Sequence, residues 1–243
     1  MSRLRLRGFP TSSNGASSFH LNWLPRVLLS EVAVTLLIPQ NPEPRSLYFW
    51  ALQASFTGPQ GTSGGAHLGL QWHPGYPDGT AVNWGGYDRH GSILEGTPSE
   101  LPSALANPHT RDYPWRPGVA YRLRIVAAAP GRWDGEVTDF DAGTTTRVRT
   151  LSAEGEGLSL VLVWSEVFAR CDDPPAAAVW SDPAGVAIDG SPWRPDSYSV
   201  TYQREEDGGC SNTDVVVLPH GVGQFTGVTR RTPSGTVIPT QAV

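Results

Sequence analysis

The sequence predicts an all-β protein, an antiparallel sandwich of jelly-roll type, and three observations carry that prediction. Short apolar–polar alternations recur along the 243 residues, and no stretch repeats its apolar residues at helical spacing. Period two describes a strand with one buried and one wet face. Gly (27) and Pro (22) punctuate the alternations, while an apolar fraction of 39% is too high for a disordered chain.

The first nineteen residues are polar and are expected to fray, leaving residues 20–243 as one sandwich domain. Val32–Ile38 is the first strand, ended by the Pro-rich loop Pro39–Pro44. Tyr48–Phe56 is apolar on both faces at its start, which predicts a central strand. A Gly/Ser loop, Gly58–Gly65, leads to a strand at His67–Trp72, a turn carrying Asp78-Gly79, and a strand at Thr80–Trp84. The irregular stretch Gly85–Pro117 is long enough to suggest a functional or disordered loop. In Val119–Ile125, Val119, Tyr121, Leu123 and Ile125 take one face and Arg122 and Arg124 the other. Arg132–Phe140 and Thr144–Leu151 read as a hairpin about Asp141-Ala142-Gly143. Leu158–Phe168 is the longest apolar strand; short strands are expected at Ala177–Trp180 and Val186–Ile188, and Ser197–Tyr202, Asp214–Leu218 and Gln224–Thr229 complete the set.

Composition excludes several chemistries. All 18 basic residues are Arg, so a Schiff-base lysine, a Ser–Lys pair and a P-loop lysine are impossible. A net charge of −5 with dispersed arginines argues against nucleic acid as a partner. No apolar run has the length of a membrane span, and no signal peptide is recognisable. Cofactors and metals are not expected: the histidines lack partners at ligand-like offsets, and no Cys-x-x-Cys is present. Cys171 and Cys210 are read either as a disulfide between two loops, the preferred reading, or as two free thiols.

Gly61-Thr62-Ser63-Gly64-Gly65 matches the Gly-x-Ser-x-Gly pattern of serine hydrolases. That motif works on a strand-to-helix turn, and no helix follows here, so a flexible loop is the better reading. Glu166 continues the Leu160, Leu162, Trp164 face by alternation. A carboxylate there sits at the rim of the strand or is held by an arginine or ligand. Trp72, Trp84, Tyr87 and Trp115 fall at strand ends or in loops, where flat rings can cover the apolar face of a sugar. Asn83, Arg89 and Glu166 are their candidate polar partners.

Tyr48-Phe49-Trp50-Ala51, Ala66–Gln71, Gly131–Asp139 and the tail from Cys210-Ser211-Asn212-Thr213 through Arg230-Arg231 together resemble an uncharacterised family of bacterial proteins. That family has the concanavalin A-like lectin/glucanase sandwich. The resemblance implies a jelly roll of two curved sheets, supports a Cys171–Cys210 bridge, and suggests an extracellular or cell-surface setting. It carries over no activity. The leading expectation is a non-catalytic carbohydrate-binding or cell-surface protein with a glycan partner. The alternatives are a glycoside hydrolase or polysaccharide lyase drawing an acid from Glu166, Glu136 or Asp139, and a structural or assembly domain.

Overall fold

A computed structural model describes residues 4–43 and 45–240. Arg3 of the basic start and Pro44 of the Pro-rich loop lie outside them. The strands in chain order are β1 (Ser17–Asn22), β2 (Leu29–Leu37), β3 (Tyr48–Gly58), β4 (Gly61–Trp72), β5 (Thr80–Asp88), β6 (Thr110–Asp112), β7 (Ala120–Ala129) and β8 (Arg132–Asp139). They continue with β9 (Thr144–Ser152), β10 (Gly157–Val167), β11 (Ala177–Ala187), β12 (Pro192–Trp193), β13 (Ser197–Tyr202), β14 (Thr213–Leu218), β15 (Gly221–Thr226) and β16 (Val237–Pro239). Among the described residues the one helical turn is Glu205–Asp207, and no helix is long and apolar enough to cross a membrane.

Every strand pairing is antiparallel, and the strands form two layers. One runs β6-β5-β4-β3-β10-β1-β13-β16 and the other β14-β15-β11-β2-β7-β8-β9, with β12 against β11. A single pairing, Leu158 with Leu29, joins them where β10 passes β2. The architecture is the sandwich that the alternations predict: inward residues of both layers build one core.

In β3, Tyr48, Trp50, Leu52, Ala54 and Phe56 all point inward, meeting Leu68 and Leu70 of β4 and Tyr121, Leu123 and Ile125 of β7 in that core. The outward arginine of β7, Arg124, reaches Glu31 at 2.6 Å and Glu136 at 2.7 Å. Close packing across the layers depends on Gly135 of β8, which lies against the indole of Trp84. A Cβ there would come within 2.6 Å of the ring.

Several expectations are corrected. The Gly/Ser loop is strand: residues 61–65 open β4, and the Ser63 hydroxyl donates to the carbonyls of Phe56 and Glu154, so no exposed nucleophile sits there. The stretch after β5 is a structural cover. It buries Leu94, Tyr113 and Trp115, and the Trp115 Nε1–H donates to the Gln71 carbonyl at 2.9 Å. Within the described part of the N-terminal nineteen residues, Ser17–Phe19 belong to β1, and backbone bonds run from Arg5, Gly8 and Thr11 to the body. Simple alternation also fails within β10. Leu160 takes a positive φ of 44°, the register shifts between Ser159 and Leu162, and Leu160 turns to solvent. Beyond the bulge Val161, Val163 and Val167 face the core, and Leu162, Trp164 and Glu166 face outward.

Cys171 and Cys210 form a disulfide. It closes a 39-residue separation, for which chain entropy gives about 4 kcal/mol. Replacing both cysteines by serine is expected to lower the unfolding free energy by about 2–5 kcal/mol in chemical denaturation. A loss below about 0.5 kcal/mol would show that the two loops are already held by their other contacts.

Candidate functional site

The outer face of the first layer carries an open groove of about 670 Å³. It lies over β1, β10, β3, β4 and β5, because alternation turns one residue in two away from the core on each of these strands. Ser18 and His20 come from β1, Trp164 and Glu166 from β10, Phe49, Gln53 and Ser55 from β3, Gly65 and His67 from β4, and Tyr87 and Asp88 from β5, with Asn14 closing one end. Phe49, Ala51 and Trp164 form a small apolar patch on this face, with Leu162 against it. Phe49 meets Trp164 edge-on at 4.8 Å and His67 at 5.4 Å.

Register lines up the polar groups. Glu166 pairs with Phe49, and Phe49 pairs with Gln71 of β4. Three neighbouring strands therefore carry Glu166, Phe49 and Gln71 in one row, with the outer Cα atoms roughly 10 Å apart. The Tyr76 hydroxyl donates to Gln71 Oε1 at 2.8 Å, which leaves the amide N–H end as donor. Gln53 lies farther along the groove, and its Oε1 accepts from Trp164 Nε1–H at 3.0 Å.

The groove holds two carboxylates in different states. Asp88 accepts the N–H groups of His90 and Ser92, both at 2.8 Å, and these bonds hold its pKa below the usual carboxylate value. Glu166 is pushed the other way. Burial raises its pKa, and the hydrogen bonds that its Oε1 accepts from Asn14 (2.7 Å) and Ser18 (3.3 Å) only partly offset this.

Burial holds the pKa of His67 down to about 4; His109 pushes it the same way and Asn83 pulls it up. His20 and His109 are also lowered by burial. A histidine neutral in the fold but charged when unfolded costs stability as acid is added. The loss begins near the ordinary histidine value of 6.5 and is complete near 4 for His67. We expect the unfolding free energy to fall by about 3 kcal/mol over this window. His67→Gln should flatten the fall in a stability-against-pH series; an unchanged slope would remove His67 as the cause.

The candidate residues named from sequence are scattered. Trp84 is 0% and Trp115 2% exposed, both in the core between the layers, so neither offers a ring to a sugar. Trp72 packs partly buried against that core, and Asn83 is buried with its amide donating to the Thr110 hydroxyl at 3.0 Å. Tyr87, 54% exposed, lines the groove, and Arg89 lies beyond it in the exposed turn that follows. Glu166 is the one of the seven carrying an unusual carboxyl in the groove. Glu136, bound by Arg124, and Asp139, bound to the turn N–H groups of Asp141 and Ala142, belong to the other layer. No carboxylate pair of a glycosidase forms between these acids and Glu166.

Sequence reasoning missed Gln53 and His67, which line the groove, and Gln71, buried in the row beside it. The signal was available: once β3 is read as buried on one face, Phe49, Ala51 and Gln53 must share the other. Pairing the neighbouring strands was the missing step.

Three solved structures that share this fold are peptidases. The fold resembles that of the glutamic peptidases. A scytalidoglutamic peptidase with a peptide-based transition-state analogue superposes with a TM-score of 0.53 at 12% identity, covering 86% of this chain and 98% of that one. A second structure of it, with a transition-state analogue inhibitor, gives 0.52 at 13%, covering 86% and 97%. SCP-B, a member of the eqolisin family of peptidases in complex with the tripeptide Ala-Ile-His, gives 0.51 at 12%, covering 86% and 98%. No protein-family model matches the chain, and no curated protein does. The expectations of a concanavalin A-like lectin, of a non-catalytic glycan binder and of a carbohydrate-active enzyme are corrected by these peptidase neighbours. The burial of Trp84 and Trp115 supplies a physical reason, because the proposed sugar platform is core.

Proposed function

We propose that the chain is a peptide-bond hydrolase in which Glu166 is the catalytic carboxyl. The observation that carries this reading is the raised pKa of Glu166 in an open groove, beside an apolar patch and in register with a carboxamide donor. A carboxyl whose pKa is lifted toward the working pH both accepts and returns a proton readily. The peptidase neighbours support the choice of a peptide as substrate.

In the step proposed, the Glu166 carboxylate takes a proton from a water as its oxygen bonds to the scissile carbonyl carbon. The Gln71 amide N–H donates to the oxygen on which negative charge develops. Glu166 then returns the proton to the amide nitrogen as the C–N bond breaks, and the carboxylate is restored. Phe49, Trp164 and Leu162 seat an apolar side chain of the substrate and keep water from that flank.

The test is incubation of the purified chain with an unfolded, reduced polypeptide between pH 3 and 7, with new termini read by mass spectrometry. Cleavage that is lost in Glu166→Gln supports the reading. No cleavage at any pH, or cleavage that survives the substitution, overturns it.

A further inference from the structure

Ahead of β1, residues 4–16 run as a strap across the corner that the disulfide staples. Their bonds go to both loops that the bridge joins. Gly8 accepts the Cys171 N–H at 2.8 Å and donates to Asp172 Oδ1 at 2.9 Å, and the Arg170 guanidinium lies over the Phe9 ring at 5.6 Å. Toward the other cysteine, Thr11 donates to the Gly208 carbonyl at 3.0 Å, and the Arg5 N–H donates to Ser211 Oγ at 2.7 Å while its carbonyl accepts the Ser211 N–H at 2.8 Å. The far end of the strap delivers Asn14 to the groove. Asn14 Oδ1 accepts from the Ser12 hydroxyl at 2.9 Å and from the Ala16 N–H at 3.2 Å, so the loop itself orients the carboxamide. Its Nδ2–H is thereby aimed at Glu166 Oε1, 2.7 Å away.

We propose that Asn14 is a positioning residue for Glu166, presented by a strap that the Cys171–Cys210 bridge anchors, so that the distant disulfide controls the state of the groove carboxyl. The proposal rests on the reading of Glu166 as the reactive group. A donor fixed on one carboxyl oxygen favours the charged form and leaves the second oxygen to face substrate. The other titratable groups facing this groove are His20 of β1, His67 of β4, and Tyr87 and Asp88 of β5. None of them makes a hydrogen bond or ion pair with Glu166, whose side-chain partners among the described residues are Asn14 and Ser18.

The experiment is a titration of the Glu166 side-chain carboxyl by carbon NMR in the full chain. Asn14→Ala is expected to move its midpoint upward by about half to one pH unit. Removal of residues 1–11, which takes away the anchoring contacts of Arg5, Gly8 and Thr11 and keeps Asn14, and the Cys171→Ser/Cys210→Ser pair are each expected to give the same shift, and combining the pair with Asn14→Ala should add nothing further. A midpoint unchanged in Asn14→Ala overturns the proposal, as does an additive shift in the combined variant. Should the cysteine pair fail to fold, the truncation decides in its place, and a truncated chain that titrates like the parent overturns the anchoring role. The titration needs no substrate, so it gives its answer even where the cleavage assay fails. If the chain does cleave peptides, the limb of the kcat/KM pH profile assigned to Glu166 should move with the midpoint in Asn14→Ala while KM stays within twofold. A merely structural Asn14 would lower stability and leave both in place.

Discussion

Glu166→Gln is expected to reduce kcat/KM for peptide cleavage by about 10²–10⁴-fold while leaving the fold intact, the range that a positioned general acid–base contributes. The substitution keeps the size and the hydrogen-bonding reach of the side chain and removes only its proton chemistry. Stability should move the other way. Because burial raises the folded-state pKa of Glu166, its contribution to stability is fully present below the unfolded value and is lost as pH rises through the folded one. As pH rises the raised pKa therefore costs the parent free energy that the glutamine variant does not lose, and the variant should be at least as stable as the parent. Parallel rate assays and denaturant titrations at pH 7 check both halves. A variant that is inactive and also markedly less stable would mark Glu166 as a structural residue and remove the catalytic reading.

Trp84→Ala should cost about 3–5 kcal/mol of unfolding free energy, the largest loss expected for a single side chain here. The indole is fully buried between the layers, with the backbone of Gly135 against its ring. Little can collapse into the vacated space, because the facing residue has no side chain to reorient. For a chain of this length the loss corresponds to a fall in Tm of about 10 °C. Tyr87→Ala, on the exposed edge of the groove, is expected to stay within about 0.5 kcal/mol. Thermal unfolding of the two variants side by side is the measurement. Equal, small effects would return Trp84 to the surface role that its position near a strand end suggests.

The strands were legible in the sequence wherever burial is one-sided. Residues 119–125 alternate cleanly because β7 lies between β2 and β8 with one face in the core and the other carrying Arg122 and Arg124. The pattern misled at β10, where the bulge at Leu160 reverses the facing of every residue beyond it. Glu166 does share a face with Leu162 and Trp164, as alternation implies, but that face is the groove and not the core. The aromatic residues were the least legible. A Trp at a strand end reads the same whether it meets solvent or the opposite layer, and for Trp84 the answer lies in Gly135, about fifty residues away.

By itself, then, the amino-acid order determined the local conformation: pleated strands of known phase, turns at Gly and Pro, and chemistry that excludes any lysine-based site. Those properties follow from φ/ψ preference and side-chain period, which act over a few residues. Only tertiary structure decided which strands became neighbours, and so which side chains met. Glu166, Phe49 and Gln71 come from three separate strands, and their row exists only through interstrand register. The same packing desolvates Glu166 and His67 and shifts their proton affinities in opposite senses, because burial disfavours whichever form is charged.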